Sequence, residues 1–350
     1  MYLWISIGVF LYRLKELWIR REYAMKNFSS SPQAISLSKR NSLSFRFRRA
    51  VTNGWQLYLL LALPLLYIFI FNYGPMVGLQ IAFKEYSSSN GIFASPWVGL
   101  RYFSRFVNDP QFVTILINTL RISLYSLVIT FPFPVILALC VNLINNQRYK
   151  KSVQLIMYAP HFISLVVLIG MLNQIIDPNI GLLHNLGETL FGIKIPNLNA
   201  NPDAFAHLYV WSEVWQNMGY NSIIYLAALS AVSTDLHEAA QIDGASRLKR
   251  VYYIDFPCLI PTMVILLIMN SGRIMSVGFE KINLMQNELN RSQSEVISTY
   301  VYRKSFVDSN GFEDKFSYST AIGLFNSVVN LILITAVNKI ANRYGDTSLW

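Results

Sequence analysis

Long apolar segments, separated by short basic or polar stretches, dominate the chain from Trp55 onward. Six of them approach or exceed the roughly 20 residues that a helix needs to cross a bilayer. They run Trp55–Tyr73, Val113–Ile144, Ser152–Ile176, His207–Ala231, Pro257–Gly278 and Tyr318–Ile340. The pattern predicts an all-α, polytopic membrane helical bundle. The second stretch is longer than a crossing requires and contains Pro132 and Pro134, so a kink or a tilted path is expected there.

Composition explains this picture. Of 350 residues, 53% are hydrophobic and 14% charged, with a mean hydropathy of +0.36. Soluble domains carry about 25% charged residues. A net charge of +10 in a soluble protein would point to nucleic acid. In a membrane protein it reflects Lys and Arg retained on the cytoplasmic side, and no nucleic acid partner is expected. The basic residues from Arg13 to Arg49 precede the first span. Arg148, Lys150 and Lys151 follow the second, Arg247, Lys249 and Arg250 follow the fourth, and Lys339 and Arg343 lie in the tail. The alternate loops carry fewer: Lys84, Arg101 and Arg105, then Lys194, then Lys281, Arg291, Arg303, Lys304 and Lys315. Both termini are therefore expected in the cytoplasm. Arg121 and Arg273 fall inside spans.

Residues 1–50 form a basic cytoplasmic segment ahead of a transmembrane domain over 51–350. Met1–Tyr12 is apolar but too short to span, and its charges follow it, the reverse of a secretory signal. Leu14–Tyr23 has the makings of an amphipathic surface helix. Phe28–Asn41 is Ser-rich, and Met25 offers an alternative start. Cys140 and Cys258 give neither a disulfide framework nor zinc spacing.

The loop at 233–257, between the fourth and fifth spans, carries the clearest local chemistry. Asp235 can cap a helix, with Glu238 three residues on. Ala239 and Ala240 favour helix and leave a small, flat surface. Gly244 ends that helix, Ser246 can cap a second, and Pro257 marks its end or the start of the fifth span. The expected result is a short cytoplasmic helix–turn–helix.

Glu238-Ala239-Ala240, Gly244 six residues after the Glu, and Pro257 thirteen after the Gly resemble the signature of ATP-binding-cassette import permeases. Ile242-Asp243-Gly244-Ala245 points to the carbohydrate-uptake branch, with Phe256 where that branch usually has Leu. Trp55-Gln-Leu-Tyr-Leu-Leu-Leu, Gly278-Phe-Glu-Lys-Ile and the ending Thr347-Ser-Leu-Trp350 are similar to a polysaccharide and complex-sugar subgroup. The resemblance runs from Trp55 to Trp350. It implies a coupling helix in this loop that docks on an ATPase, with small residues permitting close approach. It also implies a bacterial inner-membrane location, a second permease, two ATPase subunits holding ATP and Mg, an extracytoplasmic solute-binding protein and an oligosaccharide solute. The chain itself has no Gly-x-x-x-x-Gly-Lys-Ser/Thr phosphate loop. No cofactor, metal or catalytic residue is expected in it.

A solute path through a transporter sits near the bilayer midplane and combines aromatic faces with amides and hydroxyls. Glu213, Gln216, Asn217 and Tyr220 share one helical face of the fourth span. A polar face in a bilayer implies a cavity, or hydrogen bonding to another helix. The resemblance places Tyr220 at a substrate-contacting aromatic position. Asn270 and Arg273 extend the candidate path into the fifth span. Arg273 reads either as a ligand for an oxygen-rich or acidic sugar, or as a structural partner of Glu213 or of a carboxylate on the second permease. The four histidines, His161, His184, His207 and His237, show no metal-ligand spacing. Two other classes compete: an intramembrane enzyme built on Glu213, His161 or His207, and a scaffold without transport. Within the transport class, a peptide or organophosphate is the alternative solute.

Overall fold

The computed structural model describes residues 43–193, 196–307 and 314–344. The readings made for Met1–Tyr12, Leu14–Tyr23, Met25, Phe28–Asn41, Lys194 and Thr347–Trp350 lie outside these residues. The chain divides into two units, Met1–Val77 and Gly78–Trp350.

In the first unit, α1 (Leu43–Ile68) departs from helical geometry at Gly54 and contains Pro64. It passes into a π-helical turn, Phe69–Tyr73. The Leu59, Leu60, Leu63 and Leu66 side chains are all exposed within the unit, as a lipid-facing helix requires. The stretch Gly54–Phe83 is apolar over 30 residues and long enough to cross a membrane.

The second unit begins with the short helices α2 (Gly91–Ala94) and α3 (Arg101–Val107). Helices α4 (Phe112–Thr130) and α5 (Pro132–Asn142) follow and together make one 31-residue span. Pro132 occupies the first turn of α5, where its missing N–H leaves no hydrogen bond broken. The prolines therefore divide the helix without ending the crossing. The third predicted span is not straight. Helix α6 (Gln147–Tyr158), with the 3-10 turn Ala159–Phe162, meets α7 (Leu165–Ile175) at 96°. Pro160 and the Ser164 cap, whose Oγ accepts from Val167 N at 3.4 Å, break the helix there.

Helix α8 (Leu182–Phe191) ends on Gly192 in the left-handed region. Helix α9 (Pro202–Leu229) is 28 residues long. The Asn201 side chain caps it, accepting from Asp203 N at 3.0 Å, and Pro202 fills its first position. Helices α10 (Thr234–Ile242) and α11 (Arg247–Arg250) form the loop that follows. A π-helical turn, Val251–Asp255, leads into α12 (Phe256–Ser271). Helices α13 (Phe279–Met285), α14 (Arg291–Ser294) and α15 (Ile297–Tyr302) precede the long α16 (Lys315–Tyr344).

Among the described residues, four helices are long and apolar enough to cross a membrane, or five with the bent pair. Helix α9 is not one of them, so apolar length alone does not give six crossings. The reason is its polar content, while its apolar residues pack against other helices. At its N-terminal half, Phe205, Tyr209 and Val210 pack with Ile122 of α4 and Ile282 and Met285 of α13. At its C-terminal end, Tyr225, Leu226 and Leu229 pack with Val135, Ala138 and Val141 of α5 and Leu259 of α12. Between these clusters α6 closes directly on α9: a Cβ on Gly219 would collide with the Met157 carbonyl.

Candidate functional site

The polar face of α9 lines an open cavity of about 730 Å³, bordered by His161, the start of α7, and Gly278–Lys281. The side chains around it form one connected chain. Lys281, only 2% exposed, donates from Nζ to Glu213 Oε2 at 2.8 Å and to the Tyr209 carbonyl at 3.0 Å. Its ammonium also lies 4.7 Å from the centre of the Tyr209 ring. Asn217 Nδ2 donates to Glu213 Oε1 at 2.6 Å. The Asn217 Oδ1 can only accept, so His161 Nδ1 donates to it across 2.8 Å. The His161 ring then stacks on Tyr220 with centroids 3.8 Å apart and planes 6° from parallel. Gln216, buried, donates to the Ile163 carbonyl at 2.9 Å.

Electrostatics explain the arrangement. Burial pushes the Lys281 pKa down, and Glu213 at its side pulls it back up. A buried ammonium without such a partner would cost several kcal/mol. Glu280 adds a second carboxylate to the lining. The result is a wall of fixed donors, acceptors and one aromatic pair, suited to a hydroxyl-rich solute.

Glu213, Gln216 and Asn217 thus line one cavity, and Tyr220 joins it through His161. Asn270 and Arg273 lie exposed at the end of α12 and do not line it. The cation paired with Glu213 is Lys281, in place of Arg273. Arg121 donates to the Gln293 side chain, and to its carbonyl at 3.3 Å. With Tyr125, Asp203 and His207 it borders a smaller cavity of about 280 Å³. Lys281, His161 and Tyr209 were not singled out as solute-site residues by sequence. Lys281 had a signal: a carboxylate in the middle of a span requires a cation.

The loop after α9 is built differently. Ser233, not Asp235, caps α10: its Oγ accepts from Asp235 N at 3.2 Å, and Asp235 lies in the first turn. Gly244 ends the helix at φ +74°, a conformation costly to any residue with a Cβ. Ala245 N then donates to the Ala240 carbonyl at 2.9 Å. The Ser246 Oγ accepts from Lys249 N at 3.4 Å and caps α11. Pro257 falls in the first turn of α12. Glu238, Ala239, Asp243 and Gly244 are exposed, while Ala240 and Ala245 are half-buried. Ile242 is 87% exposed and Leu248 75%.

Comparison with known proteins adds the following. Residues 91–345 match the family described as binding-protein-dependent transport system inner membrane component. Protein LplB of Bacillus subtilis (strain 168) is 39% identical over 294 residues, covering 84% of this chain and 91% of that one. The polygalacturonan/rhamnogalacturonan transport system permease protein YteP of the same organism is 38% identical over 294 residues, covering 84% and 90%. The crystal structure of a bacterial alginate ABC transporter, in complex with an alginate pentasaccharide-bound periplasmic protein, contains a chain with a TM-score of 0.78 at 34% identity. That match covers 87% of this chain and 100% of the other.

Proposed function

This chain belongs to the binding-protein-dependent transport system inner membrane component family, and from that premise we propose that it carries oligosaccharides through the α9 cavity under control of the 233–257 loop. The observation that carries this reading is an adjacency. The polar cavity lies along α9, and the loop with the exposed Ala-Gly surface begins directly after the same helix. A solute event at one end and an ATPase event at the other act on one rigid element.

The components take distinct roles. Glu238, Ala239, Ala240, Asp243, Gly244 and Ala245, with Ile242 and Leu248 beside them, dock on an ATPase subunit that holds ATP and Mg. Pro257 sets the start of α12. A second permease with its own loop engages the second ATPase, and a solute-loaded binding protein delivers from the outer side. Both termini face the cytoplasm, as the Lys and Arg distribution indicates.

The solute reading draws on the relatives, one named for polygalacturonan and rhamnogalacturonan and one for alginate. The cavity suits it. Its volume of about 730 Å³ falls within the ~300–1,000 Å³ usual for small-molecule sites. Its polar groups match the rim of a sugar ring, and His161, backed by Tyr220, presents an aromatic face to the ring itself. The test is uptake by the reconstituted complex of a panel: trigalacturonate, an alginate trisaccharide, maltotriose, a tripeptide and glycerol phosphate. Uptake of an oligosaccharide is expected. Carriage of the peptide or glycerol phosphate alone would overturn the solute class.

A further inference from the structure

Helix α10 buries no residue of its own, so hydrophobic packing does not fix its position against the span it is meant to move. Polar contacts connect it instead. His237 Nε2 lies 3.2 Å from Asp255 Oδ1, and Arg250 donates to Gln241 Oε1 at 3.4 Å. His237 and Gln241 are four residues apart and share one face of α10. The opposite end of the first contact is unusual. Asp255 is a buried carboxylate at the base of α12. One helical turn further on, Leu259 is wholly buried in the cluster that joins α5, α9 and α12.

We propose that His237 and Asp255 form a strut that makes α10 and α12 move as one body, so that displacement of the loop reaches the core around Leu259. The proposal rests on the docking reading given above. Its physical basis is the contrast between the two partners. Asp255 is held by the core and cannot follow water outward without leaving it. His237 stands at the surface of a helix with little other anchorage. An aspartate removed from water in this way is costly unless a donor or cation faces it. His237 approaches Oδ1 from α10 at 3.2 Å but outside hydrogen-bond alignment. Among the described residues that oxygen therefore has no hydrogen-bond partner, and it depends on the nearby charges of His237 and of Arg250 from α11. Seating the carboxylate therefore requires α10 to stay in register with α12. A strut of this kind resists both pushing and pulling, which loose apolar contact would not.

Spin labels report the motion directly. They are placed through Asp235→Cys on α10 and Ile260→Cys on α12, in a full chain carrying Cys140→Ser and Cys258→Ser, within the assembled complex. With His237 intact, the label separation should be the same in the nucleotide-free and ATP–vanadate-trapped states. His237→Ala should broaden it or make it change on trapping. His237→Gln, which still donates from its amide, should restore it. Trigalacturonate uptake per ATP hydrolysed should fall in His237→Ala and recover in His237→Gln. Because the double variant His237→Ala/Asp255→Ala lacks the same strut, it should be no worse coupled than either single change. An unchanged separation in His237→Ala, or a separation that changes on trapping in the unmodified strut, would overturn the proposal. Failure of the docking reading shows separately, as no capture of an ATPase subunit by a cross-linker placed through Glu238→Cys.

Discussion

The cavity along α9 and the loop that follows it hold their polar groups in opposite ways. In the cavity, side chains are tied together across long stretches of sequence, Lys281 to Glu213 and His161 to Asn217 and Tyr220, with Asn217 bonded to Glu213 one helical turn away completing the chain. In the loop, caps and turns set the backbone, side-chain contacts are limited to His237 with Asp255 and Arg250 with Gln241, and the motif residues Glu238, Ala239, Asp243 and Gly244 are left open. The difference follows from the surroundings. A polar group away from water needs a protein partner, so the cavity is a closed network. A docking surface must leave its groups available, so the loop fixes its backbone and anchors the face turned away from the motif residues.

The comparison predicts that backbone changes damage the loop and that charge changes damage the cavity. The largest effect is expected from Gly244→Val. The left-handed conformation at φ +74° excludes a β-branched residue, so the turn must move and the contact face with it. Uptake should be abolished while the chain still inserts at normal levels, read by transport and by quantified membrane fractions. Normal uptake at matched expression would remove Gly244 from the coupling role.

Glu213→Gln probes the cavity from the other side. It keeps an acceptor for Asn217 and deletes the charge opposite Lys281. Removing one partner of a buried pair costs about 3–5 kcal/mol. Glu213 is 30% exposed, which places the expected loss at the lower end. The melting temperature in detergent should fall, and Glu213→Gln combined with Lys281→Met should regain much of it. A double variant as unstable as the sum of its singles would show that the two charges act separately.

Tyr220→Ala is expected to be milder. One face of the ring stacks on His161, so the variant removes that contact and with it the support that holds the His161 ring in the cavity wall. The penalty should be about 1–3 kcal/mol, the scale of burying one aromatic side chain. It should appear as weaker uptake, and as loss of the link between sugar transport and ATPase stimulation, with assembly intact. An unaltered concentration dependence would place the solute elsewhere.

Local signals in the sequence were enough for the loop. Gly at a left-handed turn, Ser246 as a cap and small residues on one face are properties of neighbours along the chain. Ser233, two residues before Asp235, takes the cap because the helix already starts at Thr234 and leaves Asp235 in its first turn. The spans were legible as apolar stretches, but their internal breaks were not. Hydropathy runs unbroken through Pro160 and Ser164, although the cap signal was there to be read. The cavity was half legible. A period of helical spacing brings Glu213, Gln216, Asn217 and Tyr220 to one face, and no local pattern reveals that Lys281, counted among loop cations, folds back 68 residues to meet Glu213. Its burial is a product of tertiary packing, which periodicity does not contain.

The smallest effect is expected at Arg273. An arginine inside an apolar span invites the reading of an acidic-sugar ligand, and that reading depends on its facing the solute. Arg273 follows the last turn of α12, is exposed, and does not line the cavity. The cation that does line it, Lys281, is already paired with Glu213. A side chain outside the cavity does not touch a solute held there, and the charge of an exposed group is screened beyond roughly 8 Å at physiological salt. Arg273→Gln should therefore change uptake of trigalacturonate and of maltotriose by the same small factor. The pair of solutes makes the outcome decisive. A loss confined to trigalacturonate would mean that the carboxylate meets Arg273 during transport, and the solute path would then have to extend beyond the α9 cavity to the end of α12. Equal and slight losses on both solutes would leave the acidic or neutral preference to groups along α9, with Lys281 and Glu280 the first to exchange.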